Sequence, residues 1–176
     1  LPENAPLDRA LTGCLYGGDD RYRLCQELVL GIGGLRMLRA LGLRAIRRFH
    51  LNEGHASLVA LALLAERRAE GATGPDGPAE LEAIREQCVF TTHTPVPAGH
   101  DIFPLELARS VLGGDAAGLL AGLGQRQVLN LTDLALQTAR FINGVAMRHG
   151  EVSRNMYPTY PIRSITNGIH PPTWAT

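Results

Sequence analysis

A chain of 176 residues is long enough for one domain with a buried core, and 45% hydrophobic against 19% charged residues fits a globular rather than a disordered protein. Seventeen basic and seventeen acidic residues cancel, so net charge points to neither a nucleic-acid nor an anionic-membrane partner. Every basic residue is arginine, and with no lysine in the sequence a lysine Schiff base and a phosphate-loop lysine are both excluded.

The N-terminal residues Leu1-Pro2-Glu3-Asn4 carry no basic and no long apolar segment, so they do not read as a secretory signal. The missing initiator Met leads us to expect a piece of a longer polypeptide. Residues 1–20 read as loop, with Pro2, Pro6, Gly13 and the turn Gly17-Gly18-Asp19-Asp20. From Arg21 a helix is predicted, since Leu24, Leu28, Ile32, Leu35 and Leu38 recur at helical spacing. Gly31, Gly33 and Gly34 interrupt it at ~1 kcal/mol each relative to Ala, which predicts something packed closely against them.

Arg44–Leu51 reads as a strand ending at Asn52-Glu53-Gly54-His55, followed by an apolar helix over Ala56–Ala69. The longest apolar run, Leu58–Ala65, is too short to span a bilayer. A surface loop over 70–79 and a helix over Leu81–Gln87 precede a strand at Cys88–Thr92, which runs into the proline-fixed loop His93–Asp101. Pro104–Leu112 is a short helix, and Gly113–Gly124 has no clear pattern. Asn130 or Thr132 caps a predicted long helix reaching about Val152, 153–163 is loop, and Ser164–Thr166 is a last short strand. Cys14, Cys25 and Cys88 form no C-x-x-C pair and suit buried thiols in a reducing compartment.

Strands alternating with helices predict an α/β fold with Rossmann-like layers and a largely parallel sheet. Ligands of such sheets bind beyond the carboxyl ends of the strands. There the sequence places Asn52 and His55 after one strand, His93 and Thr94 after the second, and Asn167 after the third. These neutral donors and acceptors suit sugar hydroxyls. Asn52 serves equally as a helix N-cap, His55 as a half-buried first-turn residue, and Asn167-Gly168 as a plain turn. Asn143-Gly144 inside the predicted long helix signals close approach by a ligand or another backbone. His50, Glu53 and His55 read H-x-x-E-x-H, which matches neither zincin spacing, so no metal site is expected. No G-x-S-x-G surrounds a serine.

Five segments resemble the α-glucan (glycogen, starch or maltodextrin) phosphorylase family in its bacterial and archaeal form. They are Leu15-Tyr16-Gly17-Gly18-Asp19 through Gln26-Glu27, His50-Leu51-Asn52-Glu53-Gly54-His55-Ala56, Phe90-Thr91-Thr92-His93-Thr94 through Asp101, Asn143-Gly144 through Glu151, and Ile165-Thr166-Asn167-Gly168-Ile169-His170 through Trp174. The resemblance implies a two-domain glycosyltransferase-B fold, with 1–165 as the latter part of the N-terminal glucan-binding domain. Residues 166–176 would cross toward a C-terminal domain absent from this chain. It implies phosphorolysis of α-1,4-glucan by inorganic phosphate to glucose 1-phosphate, with pyridoxal 5′-phosphate held by a lysine outside this chain.

By the same resemblance His93 and Asn167 are catalytic, and Ile142 lies near the hydroxymethyl group they bind. Asn52, Glu53, His55 and Asp101 line the cleft toward acceptor sugars, Thr94 is a further substrate-binding residue, and Trp174 lies near the cofactor. The full-length protein is expected in the cytoplasm without nucleic-acid or membrane partners, its oligomeric state and control are left open, and the chain alone is expected to be inactive. Ala98 stands where animal and plant relatives carry Glu, which puts the preferred glucan length in doubt. A nucleotide-sugar-dependent glucan synthase-like transferase and a non-catalytic carbohydrate-binding module remain alternatives.

Overall fold

The structure, a computed structural model, describes residues 2–15, 17–71 and 78–174. Tyr16 and most of the 70–79 loop lie outside the described residues. In chain order, α1 (Pro6–Ala10) precedes α2 (Asp20–Leu28), which passes through a π-helical turn at Val29–Gly33 into α3 (Gly34–Ala40). Strand β1 (Phe49–Asn52) leads through a 3₁₀ turn (Gly54–Ala56) to α4 (Val59–Ala69) and α5 (Pro78–Arg85). Strand β2 (Cys88–Thr92) is followed by β3 (Ile102–Pro104), α6 (Leu105–Leu112), α7 (Gly114–Gly122) and β4 (Val128–Asn130). The chain closes with α8 (Leu131–Thr138), β5 (Phe141–Gly144), α9 (Met147–Met156), β6 (Ile162–Ser164) and α10 (Pro171–Trp174).

The expected α/β layering is present. Strands β1-β2-β5-β6 form a parallel sheet in that order, and β3-β4 pair antiparallel as a separate ribbon inserted between β2 and β5. One transverse row carries the centre of the sheet: Leu51, Phe90, Ile142 and Ile162 stand in register across the four strands, each no more than 3% exposed. Burying each such side chain stabilises by about 1.5–3 kcal/mol relative to exposure. One residue further on, the row turns polar with Asn52, Thr91, Asn143 and Arg163. Side chains alternate across a sheet, so these point to the opposite face. The apolar-to-polar change thus falls at the carboxyl ends of the strands.

The sequence reading is corrected at several places. Residues 1–20 include α1, helped by Pro6 at its first turn. Helix α2 starts at Asp20 because the Asp19 carboxylate accepts the Tyr22 N–H at 2.8 Å. The strand expected over 44–51 narrows to Phe49–Asn52, where residues pair with β2. The single helix expected from Asn130 to Val152 is two helices with β5 between them. Asn130 does cap the first, accepting the Asp133 N–H at 3.0 Å, but Ala139 leaves the helical region and Phe141–Gly144 pairs between β2 and β6. Helix α9 runs through Met156, into the stretch expected as loop, and the last strand lies at Ile162–Ser164.

Two glycines show what the sequence signalled. A Cβ on Gly31 would stand 2.8 Å from Leu58 Cβ and Val59 N, so the π-helical turn presses on the start of α4. A Cβ on Gly144 would meet the Gly150 backbone at 3.2 Å, so the approach expected at Asn143-Gly144 is that of α9 against β5. Gly34 has nothing within 4 Å of its Cβ position among the described residues, which give its place in the sequence no packing explanation.

Candidate functional site

The strand ends bring the expected residues to one edge. Asn52 ends β1 beside Thr91, His93 and Thr94 follow β2 directly, and the chain after β6 stays paired to the chain after β5. Ile165 N–H donates to Gly144 O at 2.9 Å and Asn167 N–H to Val145 O at 3.0 Å, which sets Asn167 beside the end of β5. Asn52, His93 and Asn167 are exposed, and Thr94 is half-buried. Neither the 3₁₀ turn nor α4 has a side-chain cap, so Asn52 does not act as the N-cap that was its alternative reading. Ile142 is not brought to this edge, because its side chain is 3% exposed within the core row. Trp174 is 77% exposed on the four-residue α10.

A polar ladder lies under the edge. His50 Nε2 is 2.7 Å from Thr91 Oγ1, whose hydroxyl donates to Asn143 Oδ1 at 2.9 Å. The hydroxyl has one proton and gives it to Asn143, so His50 Nε2 must carry a proton and donate to Thr91. Asn143, 5% exposed, is thereby fixed in orientation.

Glu53 departs from the expected role of facing sugars. Its side chain turns inward at 9% exposure, accepts the His93 N–H, and lies 3.4 Å from the Thr92 hydroxyl that donates to it. Its backbone sits at φ 63° and ψ 177°, a region that costs a non-glycine residue about 1–3 kcal/mol and persists only where the surroundings fix it.

His55 and Asp101 join two residues that the sequence reading did not single out for the site, Arg23 and Glu27. His55 Nδ1 lies 3.0 Å from Asp101 Oδ2 and 3.4 Å from Glu27 Oε1. Arg23 Nη2 lies 2.6 Å from Glu27 and 3.0 Å from Asp101. Hydrogen bonding to Asp101, and then to Glu27, pushes the His55 pKa up to about 9 against the opposing effect of burial. The His55 partner in turn holds the Asp101 carboxyl below its usual range. Ligand atoms of Glu27, His55 and Asp101 come within 4.8 Å of one another, but the Arg23 guanidinium already bridges the two carboxylates. Two cations against two anions form a closed ion cluster, not a cation site. The i,i+4 spacing of Arg23 and Glu27 was visible in the sequence. Their meeting with His55 and Asp101, far away in the chain, was not.

A cavity of about 330 Å³ opens beside this cluster, with Leu11, Leu15, Val29 and Leu30 as its apolar wall. Close by in sequence to Asp101, His100 Nδ1 pairs with Thr132 Oγ1 at 2.7 Å, its Nε2 is buried without a partner among the described residues, and burial lowers its pKa.

No protein-family model matches the chain. It is 38% identical over 205 residues to the glycogen phosphorylase of Mycobacterium tuberculosis, covering 99% of this chain and 23% of that protein. It is 36% identical to the maltodextrin phosphorylase of Thermococcus litoralis and 34% to the glycogen phosphorylase of Aquifex aeolicus, each over 99% of this chain. The chain is homologous to one segment of the glycogen and maltodextrin phosphorylases. It spans about a quarter of the length of these phosphorylases, 22–27%. Neither the synthase-like transferase nor the non-catalytic module is favoured by them. The sequence has no lysine to anchor pyridoxal phosphate, whose lysine the resemblance puts outside this chain, and Trp174, the residue the resemblance puts near it, stands exposed. Among the described residues no helix is long and apolar enough to cross a membrane.

Proposed function

We propose that the complete polypeptide containing this sequence is an α-glucan phosphorylase and that this chain is the glucan-facing wall of its active site. The observation that carries the reading is the homology to phosphorylases over 99% of the chain. The convergence of Asn52, His93, Thr94 and Asn167 at one sheet edge supports it. The reaction moves a terminal glucosyl unit from an α-1,4-glucan to inorganic phosphate and gives glucose 1-phosphate.

In this reading His93 hydrogen-bonds the glucosyl 6-hydroxyl, and its main-chain carbonyl faces the positive charge that develops on the sugar ring. A fixed dipole placed there is worth more than one that must reorient. Asn167 binds the same hydroxyl region, and Ile142 supports it from the core. Thr94, Asn52, His55 and Asp101 lie toward the acceptor sugars. Residues 1–165 belong to the first of two glycosyltransferase-B domains, and 166–176 lead toward the second. Pyridoxal 5′-phosphate and its lysine belong to that second domain, near Trp174. The enzyme works in the cytoplasm.

The test is release of glucose 1-phosphate from maltodextrin and phosphate by the complete polypeptide. His93→Ala keeps the main-chain carbonyl but removes the imidazole that bonds the 6-hydroxyl, and is expected to lower kcat by about 10²–10³-fold, the scale of losing one positioned hydrogen-bonding group at the reacting sugar. Turnover within a few-fold of the unmodified enzyme would overturn the assignment of His93. Absence of any phosphorolysis by the unmodified complete polypeptide would overturn the function.

A further inference from the structure

The geometry points to Glu53 as a positioning residue that fixes the His93–Thr94 peptide at the end of β2, rather than as a contact for sugars. The inference rests on the phosphorylase reading for its consequence in turnover, but its structural part stands without that reading. Two hydrogen bonds tie the carboxylate to the strand end, and a third extends the chain to Thr94. The His93 N–H donates to Glu53 Oε1 directly, and the Thr92 hydroxyl donates to the same oxygen at 3.4 Å. The Thr94 N–H donates to the Thr92 hydroxyl oxygen, also at 3.4 Å. The main-chain N–H groups on both sides of the His93 carbonyl therefore run, one directly and one through Thr92, into one buried acid.

When a peptide N–H donates to an acceptor, electron density shifts away from the N–H and onto the carbonyl oxygen of the same peptide. Here that carbonyl belongs to His93, and its N–H is that of Thr94. An anion behind this peptide both orients the carbonyl and strengthens its dipole.

Glu53 maintains this grip from a backbone conformation that glycine occupies at little cost and glutamate does not. The surroundings hold it there. Its own N–H donates to Thr91 O at 2.9 Å, continuing the β1–β2 ladder. A Cβ on the next residue, Gly54, would stand 3.0 Å from Thr132 N, so the turn is wedged against the start of α8. The strain is retained at a position where a glycine would relieve it, which a purely local turn gives no reason for.

The deciding measurement is hydrogen exchange at the His93 and Thr94 amides, compared in unmodified protein, Glu53→Gly, Glu53→Gln and the exposed control Asn52→Ala. Glu53→Gly relieves the backbone and removes the carboxylate, so exchange at both amides is expected to rise by about tenfold or more while the thermal midpoint is largely kept. Glu53→Gln, which keeps an acceptor oxygen, is expected to restore part of the protection. Unchanged exchange at both amides in Glu53→Gly, or an equal rise in Asn52→Ala, would overturn the inference. In the complete polypeptide Glu53→Gly is expected to lower kcat by about 10²-fold with KM for maltodextrin changed less than about threefold, because misplacing a reacting-centre group costs turnover first. An equal fall in kcat/KM through KM alone would restore Glu53 to sugar binding. If the unmodified polypeptide shows no phosphorolysis, the functional reading fails and the exchange result still decides the role of Glu53.

Discussion

His55 carries its charge at a place where two carboxylates and one guanidinium meet, and this makes stability depend on pH in a definite direction. Its pKa is raised from 6.5 to about 9 in the folded protein. A raised pKa means that the folded state holds the proton more tightly, so the contribution is fully present below pH 6.5 and is lost as pH rises through about 9. The ring is 30% exposed, so screening reduces the effect to on the order of 1 kcal/mol. Thermal unfolding of the unmodified chain and of His55→Asn, followed from about pH 6 to about pH 10, tests this. The gap between them is expected to shrink across that window, and a constant gap would show that His55 is not held as a cation. Asp101 belongs to the same pair, and its depressed pKa acts in the opposite window, with stability lost as pH falls through the acid range.

At the scale of elements, the glycines of the α2–α3 helix separate into two kinds, and the difference is measurable. Gly31→Ala would drive a methyl into backbone and Cβ atoms of Leu58 and Val59 at 2.8–2.9 Å, and backbone cannot move aside as a flexible side chain can. We expect a loss of about 1–3 kcal/mol for it. Gly34→Ala, in a helical conformation, meets nothing within 4 Å among the described residues and is expected to gain up to about 1 kcal/mol. Chemical denaturation of the two variants checks both signs, and stabilisation by Gly31→Ala would remove the argument that the π-helical turn is shaped by α4.

The same contrast shows what could be read from the sequence. Three glycines in a helical pattern announced close packing, but only tertiary contact tells Gly31 from Gly34. Cys88–Thr92 was legible because β-branched and apolar residues end at a proline loop, and it is a strand with those bounds. Strand β5 was not legible, because four residues between two helices give too short a pattern and only pairing with β2 and β6 makes them extended. The strand-end placement of Asn52, His93 and Asn167 could be anticipated from alternation of strands and helices alone. The inward turn of Glu53 could not, since it depends on a main-chain N–H forty residues away.

For the molecule as a whole, the polar edge is bordered by apolar side chains that the chain leaves in water. Val96 follows β2, Met147 follows β5, and Ile165, Ile169 and Trp174 follow β6, with Ile169 and Trp174 about three-quarters exposed. Single exposed apolar residues are ordinary, but five follow three neighbouring strand ends, and we expect them to form a patch of the kind that binds apolar partners or dyes. The stretch from the π-helical turn through α3 to the residues just after it carries a second such group, Leu30, Met37, Leu41 and Leu43, so the two must be distinguished. We expect the folded chain to bind a hydrophobic fluorescent dye, and Ile169→Ser combined with Trp174→Ser to reduce that signal by about half or more without lowering the unfolding midpoint, since neither side chain is buried. Met37→Ser combined with Leu41→Ser serves as the control. If the control pair abolishes dye binding and the strand-end pair leaves it unchanged, the apolar border is scattered exposure rather than a surface. The sheet edge would then lack the water-excluding rim that a wall facing another domain needs.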